Sequence, residues 1–231
     1  MNGSRRHCIS AGLALALAPW AQAQTAPSAT HPSQLAPAAA ASPASGAPVL
    51  LVLGDSLSAE YGLVRGTGWV ALLEQRLLAN KSRWQVVNAS ISGDTTSGGR
   101  ARLGALLARH QPKVVVIELG GNDALRGLPL GMTQDNLAAM AKDARQMGAR
   151  VLLLGMQVPP NYGADYGQRF AALYARVAST QQAALVPFFL KGVADDPDPT
   201  RWFQPDRIHP LASAHPRLLD NVWPALNPLL R

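Results

Sequence analysis

Val49-Leu50-Leu51-Val52-Leu53 is apolar at every position and stops abruptly at Gly54. A strand with one wet face would alternate apolar and polar residues. A continuous run instead predicts a strand covered on both faces, as in a parallel sheet lying between two layers of helices. The polar residues Asp55, Ser56 and Ser58 follow at once, where an open parallel sheet presents its binding crevice. Ser56 is therefore a candidate nucleophile. Taken alone, the same residues also suit a plain strand-to-helix turn in which Asp55 or Ser56 caps the next helix.

Strand and helix signals alternate through the rest of the chain. Helical spacing is expected over 66–79, 96–110, 133–147 and 168–181, with Thr133 as an N-cap and Gly148 as a C-terminal stop. Short apolar runs at 84–88, 113–119, 151–154 and 184–189 read as strands two to five. Residues 211–226 form a closing amphipathic helix, expected to be interrupted near Pro216 and Pro224. This alternation implies a three-layer α/β/α sandwich around a mostly five-stranded parallel sheet. At 48% hydrophobic and 15% charged residues, the composition agrees with a globular α/β domain.

The N-terminal end reads differently. Arg5 and Arg6, an apolar stretch over 9–18 and Ala21-Gln22-Ala23 make a secretory signal peptide of residues 1–23. Its apolar stretch is about half the length needed to cross a bilayer. The only cysteine, Cys8, leaves with it, so the mature chain has no disulfide and no cysteine ligand for a metal. Residues 24–48 are mostly Ala, Pro, Ser and Thr and read as a flexible tether to the domain at 49–231. The net charge of +7 comes from singly scattered basic residues, which favours anionic surfaces and argues against nucleic acid as a partner. The expected location is periplasmic or secreted.

Three polar, glycine-bearing blocks stand directly after the first three strands: Gly54-Asp55-Ser56-Leu57-Ser58, Ser90 to Gly99, and Gly120-Gly121-Asn122-Asp123. The carboxyl ends of parallel strands share one edge, so these blocks should converge. A fourth, Asp206-Arg207-Ile208-His209-Pro210, can fold back to the same edge. A serine hydroxyl needs a base to take its proton. Of five histidines, His7 and His31 lie before the domain and His110 lies at a helix end. His215 has no acid nearby in sequence, whereas Asp206 stands three residues before His209 and can hold its imidazole. His209 is the better base. The N–H groups of Ser56 and Gly93 and the side-chain amide of Asn122 supply donors for a developing oxyanion. Gly93 also has a bland reading as a turn glycine, and Asn122 as an Asx-turn.

In order, Gly54-Asp55-Ser56-Leu57-Ser58, Gly93-Asp94, Gly120-Gly121-Asn122-Asp123 and Asp206-x-x-His209 resemble the four blocks of the GDSL or SGNH hydrolases. The chain looks most like their periplasmic multifunctional esterases of the thioesterase I/protease I/lysophospholipase L1 type, often called arylesterases. That resemblance runs from Val49 to the C-terminus. It implies Ser56 as nucleophile, His209 as base, Asp206 as its orienter, an oxyanion hole of Ser56, Gly93 and Asn122, a flavodoxin-like sheet and no cofactor. Glu60 departs from the small residue common among such proteins, which predicts a more acidic entrance.

Other motifs fall away. Gly93 to Gly99 lacks the Lys of a phosphate loop, and Gly66 to Ala71 lies too far past its strand for a dinucleotide site. The nucleophile is not framed as Gly-x-Ser-x-Gly. Asp195, Asp196 and Asp198 lack the spacing of a calcium loop, and no metal is expected. Asp55 and Asp123 read as loop braces. Leu125 and Leu128 after the third block, and Pro160 and Tyr162 after the fourth strand, suit either two walls of an acyl groove or ordinary loop packing. The expected activity is that of a secreted serine esterase acting on small or lipid acyl esters, including thioesters and lysophospholipids. The alternatives are a carbohydrate acetylesterase and a non-catalytic envelope-binding protein.

Overall fold

The computed structural model describes residues 46–231, so the expected signal peptide and almost all of the tether lie outside the described residues. Five parallel strands form one sheet: β1 (Val49–Gly54), β2 (Gln85–Asn88), β3 (Val114–Glu118), β4 (Arg150–Leu154) and β5 (Ala184–Val186), in the order β2-β1-β3-β4-β5. β1 is buried along its whole length, with Leu51 opposite Val87 on one side and Val115 on the other. Burial at every position, on both faces, is what the unbroken apolar run predicts.

The helices are α1 (Trp69–Ala79), α2 (Thr96–His110), the five-residue α3 (Gly121–Leu125), α4 (Leu130–Gln146), α5 (Ala164–Thr180) and α6 (His215–Leu226). α1 packs on α6, while α4 lies between α2 and α5, giving the expected helical layers. The chain order reverses between β1 and β3. The crevice at their carboxyl ends is the position where such sheets bind ligands.

Several boundaries differ from the sequence reading. Gly66 has a left-handed φ of +89°, so α1 begins only after Gly68. Thr133 does not cap α4, which starts three residues earlier after Pro129; the Thr133 hydroxyl is buried and donates to Asp123 at 3.3 Å. α5 starts four residues early, at Ala164. β5 stops at Val186, before Pro187, because proline cannot donate to the ladder. Phe189 then leaves the sheet and packs edge-on against Trp69 at 5.6 Å. Pro216 starts α6 rather than breaking it, since the first turn has no intrahelical use for its missing N–H. None of the helices among the described residues is long and apolar enough to cross a membrane.

His215, set aside as a base, has a structural post. It is buried, and its Nδ1 accepts the Trp69 N–H at 2.9 Å, tying the start of α1 to α6. Desolvation pushes its pKa down to about 4, against a smaller opposing pull from the Pro210 carbonyl. The folded protein therefore holds this ring neutral where the unfolded chain would protonate it. That stability is complete above about pH 6.5 and is lost as pH falls toward 4, a difference of about 3 kcal/mol. Thermal melts between pH 7.5 and 4.5 should show a decline that His215→Gln flattens.

Candidate active site

All four blocks meet at the carboxyl edge of the sheet. Ser56 lies in the turn after β1, and its Oγ is 2.8 Å from Nε2 of His209. Nδ1 of His209 is 2.7 Å from Oδ2 of Asp206. The other Asp206 oxygen accepts the N–H groups of Ile208 at 2.9 Å and His209 at 3.0 Å. Desolvation would raise the Asp206 carboxyl, but these donors and the imidazole outweigh it and hold the pKa at about 2. A charged Asp206 fixes the tautomer: Nδ1 carries hydrogen toward the carboxylate, leaving Nε2 free to accept from the Ser56 hydroxyl. The short separation of Asp206 and His209 works because Arg207, between them, takes a left-handed φ of +59°.

The candidate donors stand on the first three blocks. Among the described residues, the N–H groups of Ser56 and Gly93 donate to no other backbone group, so both are available to a ligand. Gly93 has a φ of +78°, a conformation that glycine adopts without strain. Arg126 Nη2 donates to the Gly93 carbonyl at 2.7 Å, joining the second and third blocks. Asn122 stands in the first turn of α3, and its Nδ2 donates to Asp55 Oδ2 at 2.9 Å.

Beneath the site lie two buried carboxyls. Asp55 Oδ1 accepts the Leu57 N–H at 3.0 Å. Glu118, the last residue of β3, accepts the Ser58 hydroxyl at 2.7 Å, and Ser58 Oγ in turn accepts the Trp69 indole N–H at 3.0 Å. Burial raises both carboxyls, and the charge of Asp55 lifts Glu118 well above the usual range. Donors from Leu57 and Asn122 favour the charge on Asp55, so Glu118 keeps the proton. Asp55 thereby fixes the Asn122 amide while presenting a single negative charge to the region.

Asp123 acts as the brace expected of it: it accepts the Thr96 N–H at 2.9 Å and hydroxyls from Thr96 and Thr133. Glu60 turns back into its own loop. Its carboxylate accepts the N–H groups of Gly66 at 3.0 Å and Gly68 at 2.7 Å, closing the 60–68 loop on itself. Asp196 serves its own loop, accepting the Trp202 indole at 3.0 Å and pairing with Arg201 at 2.7 Å.

The suggested acyl walls are less tightly assembled. Leu125 is exposed at the end of α3, and Leu128 is half-buried just after it. Pro160 is exposed, and Tyr162 stacks on Tyr166 at 6.2 Å, continuing an aromatic row through Phe170 along α5. Neither Pro160 nor Tyr162 contacts Ser56 or His209 by hydrogen bond or ring stacking. Sequence reasoning missed four participants, Glu118 among them. Tyr61 covers the His209 ring at a centroid distance of 4.4 Å. Arg126 clasps Gly93. Arg102 pairs with Asp94 at 2.8 Å and donates to the Ala89 carbonyl, bracing the second block. Glu118 did leave a signal, as a lone acid ending an otherwise apolar strand.

A parallel sheet of this order, with serine, histidine and asparagine blocks at one edge, is the architecture of an SGNH-type ester hydrolase. The model of the GDSL-like lipase/acylhydrolase family matches residues 52–217, and the chain belongs to that family. It is 56% identical over 184 residues to the esterase TesA of Pseudomonas aeruginosa, covering 80% of this chain and 90% of that protein. It is 43% identical over 187 residues to thioesterase 1/protease 1/lysophospholipase L1 of Escherichia coli K12, covering 81% and 87%. The crystal structure of TesA superposes with a TM-score of 0.75 over 78% of this chain and 99% of that one. The psychrotrophic esterase EstA of Pseudoalteromonas, inhibited by monoethylphosphonate, superposes with a TM-score of 0.74 at 38% identity, covering 79% and 98%. The protein is therefore an enzyme that hydrolyses ester bonds.

Proposed function

We propose that the enzyme is a secreted serine esterase that cleaves acyl esters, including thioesters and lysophospholipids, through an acyl-enzyme on Ser56. Ser56 Oγ attacks the ester carbonyl as its proton passes to Nε2 of His209. Asp206 stabilises the resulting imidazolium without taking the proton itself. The carbonyl oxygen becomes an oxyanion, received by the N–H groups of Ser56 and Gly93 and the Asn122 amide. Collapse breaks the bond to the leaving alcohol or thiol, which takes the proton from His209. A water, deprotonated by the same ring, then attacks the acyl carbon and releases the acid and the free Ser56 hydroxyl.

The single observation carrying this reading is the unbroken Ser56–His209–Asp206 contact chain, at 2.8 and 2.7 Å. The relatives named as thioesterase and lysophospholipase support the acyl substrate class. A phosphonate bound to the related EstA fits the same chemistry, since phosphonates imitate a tetrahedral acyl centre. Residues 1–23 direct export, and 24–48 tether the domain. Leu125 and Leu128 form one side of the acyl path and the Pro160–Tyr162 turn the other.

Nitrophenyl esters of graded chain length test the substrate class. The value of kcat/KM should rise at least about tenfold from acetate to octanoate, about what a few buried methylenes supply. A sharp preference for acetate would contradict the acyl reading and favour deacetylation of carbohydrate.

A further inference from the structure

Eight large hydrophobic side chains are exposed among the described residues, and their distribution is uneven. Leu78 and Met147 lie at the C-terminal ends of α1 and α4. The other six are Tyr61, Val64, Ile91, Leu125, Ile208 and Leu211. All six stand on the four segments that surround Ser56 and His209. Val64, at the tip of the 60–68 loop, is 78% exposed. Monomeric proteins tolerate scattered apolar residues, but a set collected around one opening marks a docking surface.

Charge identifies the occupant. Arg65, Arg126 and Arg207 are exposed on these same segments, and Arg65 and Arg207 form no ion pair among the described residues. The acids there are each held by donors within the protein, and only Asp94 has an arginine partner. Asp55 and Asp123 are buried, Glu60 is closed onto Gly66 and Gly68, Asp94 pairs with Arg102, and Asp206 pairs with His209. The rim thus presents apolar side chains and three exposed arginines together, on a chain whose net charge is +7. A surface of that composition fits the headgroup boundary of an anionic bilayer, where apolar groups enter and arginines meet phosphates.

We propose that the active-site rim seats on anionic lipid surfaces, bringing the opening above Ser56 to face the membrane. This docking goes beyond ester hydrolysis and does not require Ser56 to be the nucleophile, so the two are read separately. The probe is a vesicle of ether-linked phosphatidylcholine, alone or with a third of ether-linked phosphatidylglycerol, lipids which carry no carboxylic ester to cleave. The full chain is used throughout, so residues 1–45 contribute equally in every sample.

Wild type should co-sediment with the anionic vesicles at least about tenfold better than with the neutral ones. The advantage should fade as salt is raised from 0.05 to 0.5 M, in keeping with a screening length of about 10 Å at 0.1 M. Val64→Asp and Arg65→Glu should each weaken binding roughly tenfold or more. Their kcat/KM on nitrophenyl acetate should stay within about twofold of wild type, which also shows that the variants fold. Equal binding to both vesicle types, or variants that bind like wild type, would overturn the proposal. So would a dimer in sedimentation velocity that Val64→Asp dissolves, since a second copy would then be the occupant.

Discussion

Replacing His209 with alanine is expected to lower kcat for ester hydrolysis by roughly 10⁴-fold or more, with the circular dichroism spectrum unchanged. The ring is mostly covered, stacked near Tyr61, but lies outside the hydrophobic core, so removing it should leave the fold intact. What it removes is the acceptor 2.8 Å from the Ser56 hydroxyl. Without that acceptor the hydroxyl keeps its proton and is a poor nucleophile. Ser56→Ala should fall as far. The double variant should be no slower than either single one within about tenfold, because groups that act as a unit are not additive. A double variant slower by the product of the two losses would mean that serine and histidine act in separate steps.

Asn122→Ala should cost about 10²- to 10³-fold in kcat, or about 3–4 kcal/mol of transition-state stabilisation, with KM within about threefold. The amide is neutral and meets the oxygen only when negative charge develops there, so its loss falls on the transition state rather than on substrate binding. Asp55→Asn should cause part of the same loss, since the carboxylate holding Asn122 at 2.9 Å becomes an amide. Combining it with Asn122→Ala should add little. Steady-state kinetics with a soluble nitrophenyl ester measure all three variants. A rise in KM at constant kcat would instead place Asn122 in ground-state binding.

Much of this site was legible before any coordinates. Ser56, Gly93 and Asn122 each follow a strand that reads as parallel, and parallel strands deliver their carboxyl ends to one edge. Asp206 and His209 were legible because three residues of separation suit a tight turn. The details that escaped depend on contacts between segments. α3 is only five residues long and opens with Gly121, too short to display a helical period. Tyr61 reaches His209 because Glu60 folds the loop back onto Gly66 and Gly68, and because Gln204 donates to the Tyr61 carbonyl at 3.0 Å. Nothing in the local pattern of Ala59-Glu60-Tyr61 announces that folding. Arg126 likewise reads as a solvated charge until the second block comes within reach. The expected cap at Thr133 failed for a similar reason: its hydroxyl found a tertiary partner in Asp123, and Pro129 began the helix instead.

The most direct test of Ser56 as the nucleophile is covalent labelling with a fluorophosphonate, followed by peptide mass analysis. One adduct per chain is expected, on the peptide carrying Gly54-Asp55-Ser56, formed at a rate that falls with His209→Ala and absent from Ser56→Ala. An active esterase that takes no label, or that carries it on another residue, would contradict the assignment.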